Sequence, residues 1–493
     1  MNILTLLEMA ADAMGNRQAV TGGSQTLTVA ELHQAALGGA TLARAAATSR
    51  LAYLAVNTPA APAALFAAAA AGMPYVPINY RLTRPEIDAL LIRVAPALLI
   101  TDKDGPFPPG ITPISPDAFL AQAQAAAPAA APPDDDSAIA VELFTSGTTG
   151  TPKAAILRHE NLTAYVLGSV EFMSAEEDDA TIVTVPPYHI AGISAVLSSL
   201  YAGRHMLQLP DFTPRAWLDL VRAHNVSNAF VVPTMLARIT EHLDASGEHA
   251  NTPSLRALAY GGGKMPLPII QRAISLFPNT DFTNAYGLTE TSSTIALLTP
   301  DDHRAAHAST DAGHAKRLTS VGRPLPGIEL EIRDESNAPV PANISGLVYV
   351  RGDQVAGEYH GQPSQKDAQG WFCTKDRGYL DDAGYLFLEG RADDVIVRGG
   401  ENISPGEIEE ILQSHPSVRD AAAVAMPDPE WGEAVAAAIV LQPGATTTEG
   451  ELQSHVRAAL RSSRVPHTIR FYESLPYNDT GKLLRRVIRQ DFQ

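Results

Sequence analysis

The sequence predicts an α/β fold: a large N-terminal domain of helix-covered sheets, a small β-subdomain, then a small α+β C-terminal domain. Three observations carry this. From Leu51 to Tyr286, strand-like and helix-like segments alternate, the pattern of parallel sheets covered by helices. After about residue 320, segments such as "GIELEIRD" and "GLVYVRG" alternate apolar and polar residues, with Gly, Pro and Asn turns between them. After "GRADD" (390–394), the remaining chain carries its own apolar strands and helices.

The elements follow in order. "MNILTLLEMAADAMGNRQ" lacks a basic start and carries acids, so an amphipathic helix is expected, not a signal peptide. "LAYLAVN" is a strand, "APAALFAAAAAG" a helix, "PYVPIN" a strand, "RPEIDALLIRVAP" a helix and "ALLITD" a strand. The order resumes with the strand "ATIVTVP", the helix "IAGISAVLSSLYAG", the strand "RHMLQLP", the helix "PRAWLDLVRAHNV" and the strand "SNAFVVP". The helix "TMLARITEHLD", the strand "SLRALAY", the helix "LPIIQRAISLF" and the strand "DFTNAY" complete it. "AQAQAAAPAAAPPDDD" (121–136) has the composition of a surface linker. The last part predicts a helix at "PGEIEEILQSH", strands at "VRDAAAVAM" and "AVAAAIVLQ", a helix near 449–460 and a strand at "TIRFYES".

Composition bounds the function. With 493 residues the chain exceeds one compact domain, and 45% apolar residues allow a sizeable core. Lys and Arg number 36 against 54 Asp and Glu, a net charge of -18. That argues against nonspecific nucleic-acid or anionic-membrane binding but leaves room for a local phosphate site. The single cysteine, Cys373, rules out an intrachain disulfide and suits a reducing cytoplasm. The longest apolar stretch (61–78) is broken by Gly72 and prolines, so a buried helix and strand are expected there rather than a membrane span.

The most distinctive segment is "LFTSGTTGTPKAA" (143–155). Gly147 and Gly150 allow close backbone approach, and exposed N–H groups in such a loop form a concave anion site. Thr145, Ser146, Thr148 and Thr149 add hydroxyl donors, and Lys153 adds a positive charge. The ligand suggested is a polyphosphate, although Walker spacing is absent. An ordinary surface loop has the same composition, so the companion motifs decide.

"TSGTTGTPK" resembles the phosphate loop of the adenylate-forming superfamily: acyl-CoA synthetases, peptide-synthetase adenylation domains and luciferases. The companions stand in that family's order over nearly the whole chain: "PPYHIAG" (186–192), "YGGGKMP" (260–266), "NAYGLTE" (284–290), "TKDRGYL" (374–380), "GRADDVIVRGGENISPGEIEE" (390–410) and "NDTGK" (478–482). The resemblance implies ATP, Mg²⁺ and coenzyme A. It implies that the loop from Thr145 to Lys153 holds the β- and γ-phosphates and that Glu290, with Thr145, carries Mg²⁺, a hard ion suited to oxygen ligands. Thr289 would bond the α-phosphate. Gly262, Gly263, Lys264, Asn284, Ala285 and Gly287 would border the adenine, with Tyr286 stacked on it. Asp376 and Arg391 would hold the ribose, and Lys482 would bridge the carboxylate and α-phosphate oxygens. Singly, each has a plain structural use as a solvated acid, core tyrosine, surface ion pair or tail lysine. The ordered set is what points to a site.

The family also implies a mobile C-terminal domain. Residues 1–392 would bind ATP and acid, and residues 393–493 would rotate about a hinge at Asp393 between two half-reactions. Arg398, Gly399, Gly400 and Glu401 would line a thiol tunnel, where the same glycines also suit a β-turn. Arg81 or Arg84, and Arg464, would contact CoA phosphates, though surface ion pairing suits Arg81 and Arg84 equally. Two departures stand out: Lys375 replaces a usual glycine, and Ser463 stands where many CoA ligases have an aromatic residue. The acyl pocket is expected to draw on His189, Gly192, Ile193, Met235, Tyr260 and Gly261, His189 at the meeting of the acyl and thiol tunnels. As small and mostly apolar residues they suggest a hydrophobic, fatty or aryl, acid. Gln493 lies eleven residues beyond Lys482, so a free-standing acid–CoA ligase is expected. The alternatives are an acyl-AMP ligase that loads a carrier protein and a lapsed nucleotide- or acid-binding sensor.

Overall fold

The computed structural model describes residues 1–130, 135–145, 152–478 and 481–493, without the Asn402 side chain. Its contacts divide the chain into two compact units. One comprises Met1–Leu318, Arg323–Glu329 and Arg351–Phe372; the other comprises Thr319–Gly322, Leu330–Val350 and Cys373–Gln493.

The first unit holds two large sheets among its described residues. One runs in the order Arg323–Pro324, Ser293–Leu298, Asp281–Leu288, Ala257–Gly261, Asn228–Val231, Ala180–Val183, His205–Gln208, Gln18–Gly22, Gln25–Thr28. The strands from Asp281–Leu288 to Gln18–Gly22 pair in parallel, as the alternation predicts. The other sheet runs Glu358–Tyr359, Lys153–Arg158, Ile139–Thr145, Tyr75–Pro77, Arg50–Leu54, Ala97–Thr101, Ile111–Ile114.

Alanine explains the packing here. The helix Ala60–Ala71 is buried from Ala60 to Ala70, because a helix apolar all round is stable only when surrounded. Its methyl groups allow the helices Val29–Ala45 and Pro116–Ala125 to approach closely. Thr28 starts the first of these with a reciprocal cap: Glu31 N donates to Thr28 Oγ1 at 3.2 Å, and Thr28 N to Glu31 Oε2 at 2.8 Å. The linker expected over 121–136 needs correction. It begins inside the helix Pro116–Ala125, whose Phe119, Leu120 and Ala123 are buried. Beyond it, Thr41 and Arg44 donate to the carbonyls of Ala127 and Ala130 at 2.8 and 3.1 Å. Residues 131–134 of that linker lie outside the described residues.

In the second unit, Phe372–Leu380 and Leu386–Arg391 pair antiparallel within a four-stranded sheet that also holds Glu329–Arg333 and Gly346–Arg351. A five-stranded sheet is built on the long hairpin Val418–Asp428 and Gly432–Leu441. Both faces of this hairpin are buried. Ala421, Ala423, Val435 and Ile439 pack in one cluster with Ile408 and Leu412. Ala422, Val424, Ala438 and Val440 pack in another with Ile488 and Phe492. The period of two is why nearly every residue of these strands is apolar.

Candidate functional site

Parallel pairing brings the motifs together. Because Ala180–Val183, Asn228–Val231, Ala257–Gly261 and Asp281–Leu288 share one direction, their C-terminal ends lie along one edge. His189 follows the first, Met235 the second, Gly262, Gly263 and Lys264 the third, and Thr289 and Glu290 the fourth. Such an edge is where open α/β sheets bind ligands.

The phosphate-loop motif closes a hairpin. Ile139–Thr145 and Lys153–Arg158 are antiparallel, with Thr145 opposite Lys153. Ser146, Gly147, Thr148, Thr149 and Gly150 lie outside the described residues. The outer edge of this hairpin is covered by Glu358–Tyr359, with Tyr359 opposite Ala155. Arg158 fixes that short strand through two bonds to the Glu358 carboxylate, at 3.1 and 2.8 Å, the strong fork geometry of arginine and carboxylate.

Tyr359 is the residue that the sequence did not disclose. Its hydroxyl donates to Glu290 Oε1, and Lys153 Nζ lies 5.5 Å from its ring centre. The backbone carbonyl of Glu290 accepts from Ala356 N and Gly357 N at 2.9 and 3.1 Å. Thr289–Thr291 is one short 3-10 turn ending the strand. The structure therefore gathers Lys153, Glu290 and Tyr359 at one place, a cation and an anion held by one phenol. Among the described residues no group of three or more His, Cys, Asp or Glu is placed to hold a metal alone. One carboxylate suits an ion such as Mg²⁺, which keeps waters and takes its other ligands from phosphate.

Around this point, Asn284 and Tyr286 are buried, and Gly262, Gly263 and Lys264 form an exposed turn. Gly287 has no room for a side chain: a Cβ there would fall 1.7 Å from Ser293 O on the paired strand. His189 starts the helix Ile190–Ala202, and its ring packs 4.5 Å from that of Tyr188, which meets Tyr80 at 5.3 Å. Arg81 lies over Tyr80 at 5.5 Å, so it belongs to the same aromatic row as His189. Arg84 is bound elsewhere, to Asp88 at 2.8 Å and to the Asp104 carbonyl at 3.2 Å.

The residues expected around the acid divide between the two faces of the sheet. Leu258 and Tyr260 point into one core cluster together with Met235. Ala257 and Ala259 point the other way, into a cavity of about 350 Å³ against the helix Ile190–Ala202. Ala191, Ser194, Ala195 and Ser198 supply the helical wall, at the spacing that puts residues on one face. Ala285, Ser293 and Thr294 line the cavity beside the Glu290 turn. Gly192 and Ile193 border a separate cavity of about 20 Å³, room for a water but not an acid. Gly261 ends the Ala257–Gly261 strand beside Ala285.

Tyr260 has a structural task. Its hydroxyl meets His303 Nε2 at 2.9 Å, and His303 Nδ1 lies 2.8 Å from Thr299 O. The carbonyl requires Nδ1 to carry the proton, so Nε2 accepts from Tyr260. Burial pulls the His303 pKa down to about 4. A folded-state pKa below the ordinary 6.5 means that this contribution to stability is complete above pH 6.5 and is lost as pH falls towards 4. The loss is expected to reach about 3 kcal/mol. Denaturant titrations from pH 7 to 4 check this: the acid limb should flatten in His303→Gln.

In the second unit, Asp376 and Arg391 stand opposite each other on paired strands, with Nη1 and Oδ1 3.3 Å apart. Lys375, exposed, holds the left-handed backbone, φ 62°, that suits the glycine it replaces. A side chain at that φ is strained, so lysine bears a cost that glycine would not. Asp393 is exposed in the short turn Ala392–Asp394. Arg398, Gly399, Gly400, Glu401 and Arg464 come together around Trp431. Arg398 lies 5.9 Å from its ring and donates to Ser463 O at 3.0 Å. A Cβ on Gly399, φ 57°, would fall 2.7 Å from the Trp431 ring. Arg464 pairs with Glu401 and, at 3.4 Å, with Glu407. The Arg464 guanidinium holds the Glu401 carboxyl below its ordinary pKa. Lys482 is exposed in a turn closed by its N–H to Asn478 Oδ1 at 2.8 Å.

With the geometry in place, known proteins can be compared. The family model described as AMP-binding enzyme matches residues 7–360, and that described as AMP-binding enzyme C-terminal domain matches residues 407–482. A fatty acid–[acyl-carrier-protein] ligase of Streptomyces coeruleorubidus is 31% identical over 495 residues, 96% of this chain and 93% of that protein. A feruloyl-CoA synthase of an Amycolatopsis species is 32% identical, covering 96% of both chains. The crystal structure of ATP-bound MatB from Rhodopseudomonas palustris superposes with a TM-score of 0.87 at 26% identity, over 100% of this chain and 99% of that one.

Proposed function

The chain belongs to the AMP-binding enzyme family, and on that premise we propose that it is an ATP-dependent carboxylic acid:CoA ligase. The acid would first be joined to AMP, releasing pyrophosphate, and the acyl group then passed to the thiol of CoA. The observation that carries this reading is the meeting of Lys153, Tyr359 and Glu290 at the aligned strand ends, beside a cavity that can take an acid. Charge gathers on the α-phosphate in the first step, where preorganised donors lower the barrier most.

In this reading Lys153 and the loop before it hold the β- and γ-phosphates. Glu290, oriented by Tyr359, would hold a magnesium ion against the phosphates, and that ion would offset their charge. Thr289 bonds the α-phosphate, and Tyr286 with the turn at Gly262 and Gly263 borders the adenine. Asp376 and Arg391 take the ribose, and Lys482 comes to the reacting oxygens. Residues 393–493 turn about Asp393 for thiol transfer, when Arg398, Gly399 and Gly400 line the thiol path. The single cysteine supports work in the cytoplasm.

A second acceptor is favoured by one observation. Arg464, expected to meet CoA phosphates, is engaged with Glu401 and Glu407, and Arg398, expected on the thiol path, with Ser463 O. A carrier-protein thiol would not need Arg464 free.

The test is mass spectrometry of protein with ATP, Mg²⁺ and a pooled acid library, with and without CoA. Acyl-CoA formed only with CoA supports the ligase. Acyl-AMP accumulating despite CoA moves the acceptor to a carrier protein. Tyr359→Phe tests the site itself. Losing one hydrogen bond to a carboxylate should lower ATP–pyrophosphate exchange about 10- to 100-fold with the melting temperature unchanged. Full activity in that variant would take Tyr359 out of the site. Among the described residues no helix is long and apolar enough to cross a membrane.

A further inference from the structure

The floor of the 350 Å³ cavity carries a charge that the reading above does not use. Arg204 lines it, at the end away from the Glu290 turn. Strand register fixes that depth. His205 pairs with Ala180, Thr181 with Asn228, and Asn228 with Ala257. Arg204 therefore stands at the N-terminal ends of the strands, whereas Ala285 stands at the level of Gly261. Four residue steps separate Ala257 from Gly261, roughly 13 Å at 3.3 Å each.

Among the described residues the Arg204 side chain has no hydrogen bond or ion pair, and its Nε is fully buried without a partner. Burial pulls its pKa down. The Asp179 carboxylate favours the charged form of Arg204 and the Arg256 guanidinium opposes it. Asp179 is already taken: Arg256 pairs with it, Ser227 bonds to it, and Glu176 N donates to it at 3.0 Å. A guanidinium whose Nε is withdrawn from water without a hydrogen-bond acceptor is costly, so proteins seldom keep one without a task. The walls agree with a polar occupant. Ser198, Ser199, Thr181, Asn228 and Thr283 put polar groups around the lower half, where closely packed interiors normally hold large apolar side chains.

We infer that Arg204 receives a second anionic group of the acid, so that the preferred substrates are dicarboxylic acids, or acids with a comparable distal anion. This rests on the ligase reading and narrows it: the body of the acid is aliphatic or aryl against Ala195, Ala259 and Phe230, and its far end is charged. Arginine suits that end because its planar fork meets a carboxylate with two bonds.

The experiment compares octanedioic with octanoic acid, and 3-(4-carboxyphenyl)propanoic with 3-phenylpropanoic acid. ATP–pyrophosphate exchange is measured in the wild type, Arg204→Met and Arg204→Lys, each first checked for an unchanged melting temperature. The wild type should prefer each diacid at least 10-fold in kcat/KM. Arg204→Met should lose about 100-fold on the diacids, chiefly through KM, and keep or gain activity on the monoacids. Arg204→Lys should fall between. A diacid-to-monoacid ratio that is the same in the wild type and Arg204→Met, or a wild-type preference for the monoacids, would overturn the inference while the ligase reading stood. Absence of exchange with every acid of the pool would remove the ligase reading instead. Calorimetric binding of octanedioate, present in the wild type and lost in Arg204→Met, would then still decide for Arg204, and equal or absent binding in both would decide against it.

Discussion

Replacing Lys482 by alanine is expected to cut acyl-adenylate formation about 1,000-fold, equivalent to about 4 kcal/mol of transition-state stabilisation. Lys482 is exposed, and its turn is closed by its backbone N–H to Asn478. Truncation should therefore leave the melting temperature within the small change usual for surface positions. The decisive comparison is with the second half-reaction. Supplied with preformed acyl-AMP, Lys482→Ala should still make the thioester at close to the wild-type rate if, as proposed, the lysine serves the step in which charge builds between carboxylate and α-phosphate. Equal loss of both steps would make Lys482 a general binding residue. Undiminished pyrophosphate exchange would remove it from the site.

The second large effect concerns stability. A methyl group on Gly287 would meet Ser293 O at 1.7 Å and Ser293 C at 2.5 Å. Both belong to the paired strand, so relief requires backbone movement, not rotation of a side chain. Gly287→Ala is expected to destabilise the first unit by about 3 kcal/mol or more. It should also displace Ser293 and Thr294, which line the cavity, so activity falls in the fraction that still folds. The matched control is Gly450→Ala, in the helix Glu449–Ala459, where the added methyl meets nothing within 4 Å. That change should be neutral or stabilising by up to about 1 kcal/mol. Denaturation midpoints of both variants against the wild type provide the check. A Gly287→Ala protein as stable as the wild type would mean that these two strands part easily.

The fold was legible because local pattern and tertiary structure agree over most of the chain. The alternation through residues 51–286 gave the parallel strands, and the Ala- and Val-rich segments 418–426 and 434–442 gave a hairpin buried on both faces. The site was half legible. Glu290, Asp376, Arg391 and Lys153 sit in short strings whose order is informative, and the structure places Asp376 against Arg391 and Glu290 near Lys153 through Tyr359. Tyr359 was hidden because nothing around "GEYHG" announces a partner 69 residues away at Glu290. Met235 and Tyr260, expected at the acid pocket, pack in a core cluster away from the 350 Å³ cavity for a reason of parity. They stand near the right strand ends, but the alternation of a strand turns Tyr260 to the face opposite Ala259. The same rule, applied to "SLRALAY", would have offered Ala257 and Ala259 instead. The helical wall was readable too, as small residues at positions 191, 194, 195 and 198. Arg204 was not readable, since one arginine before a strand has no meaning until register sets its depth.

The short strand Glu358–Tyr359 has a consequence for the chain as it is made. It covers the outer edge of Lys153–Arg158, and its anchoring bond joins residues 200 positions apart. At 5–20 residues per second, a ribosome leaves that edge uncovered for about 10–40 s. An unpaired strand edge is a template for another chain. The nascent protein thus passes through a window, ending only when Tyr359 emerges, in which crowded copies can join through the exposed edge of that hairpin. Slow synthesis through residues 160–360, or truncation before Glu358, should show itself as aggregation long before any effect on catalysis could be measured.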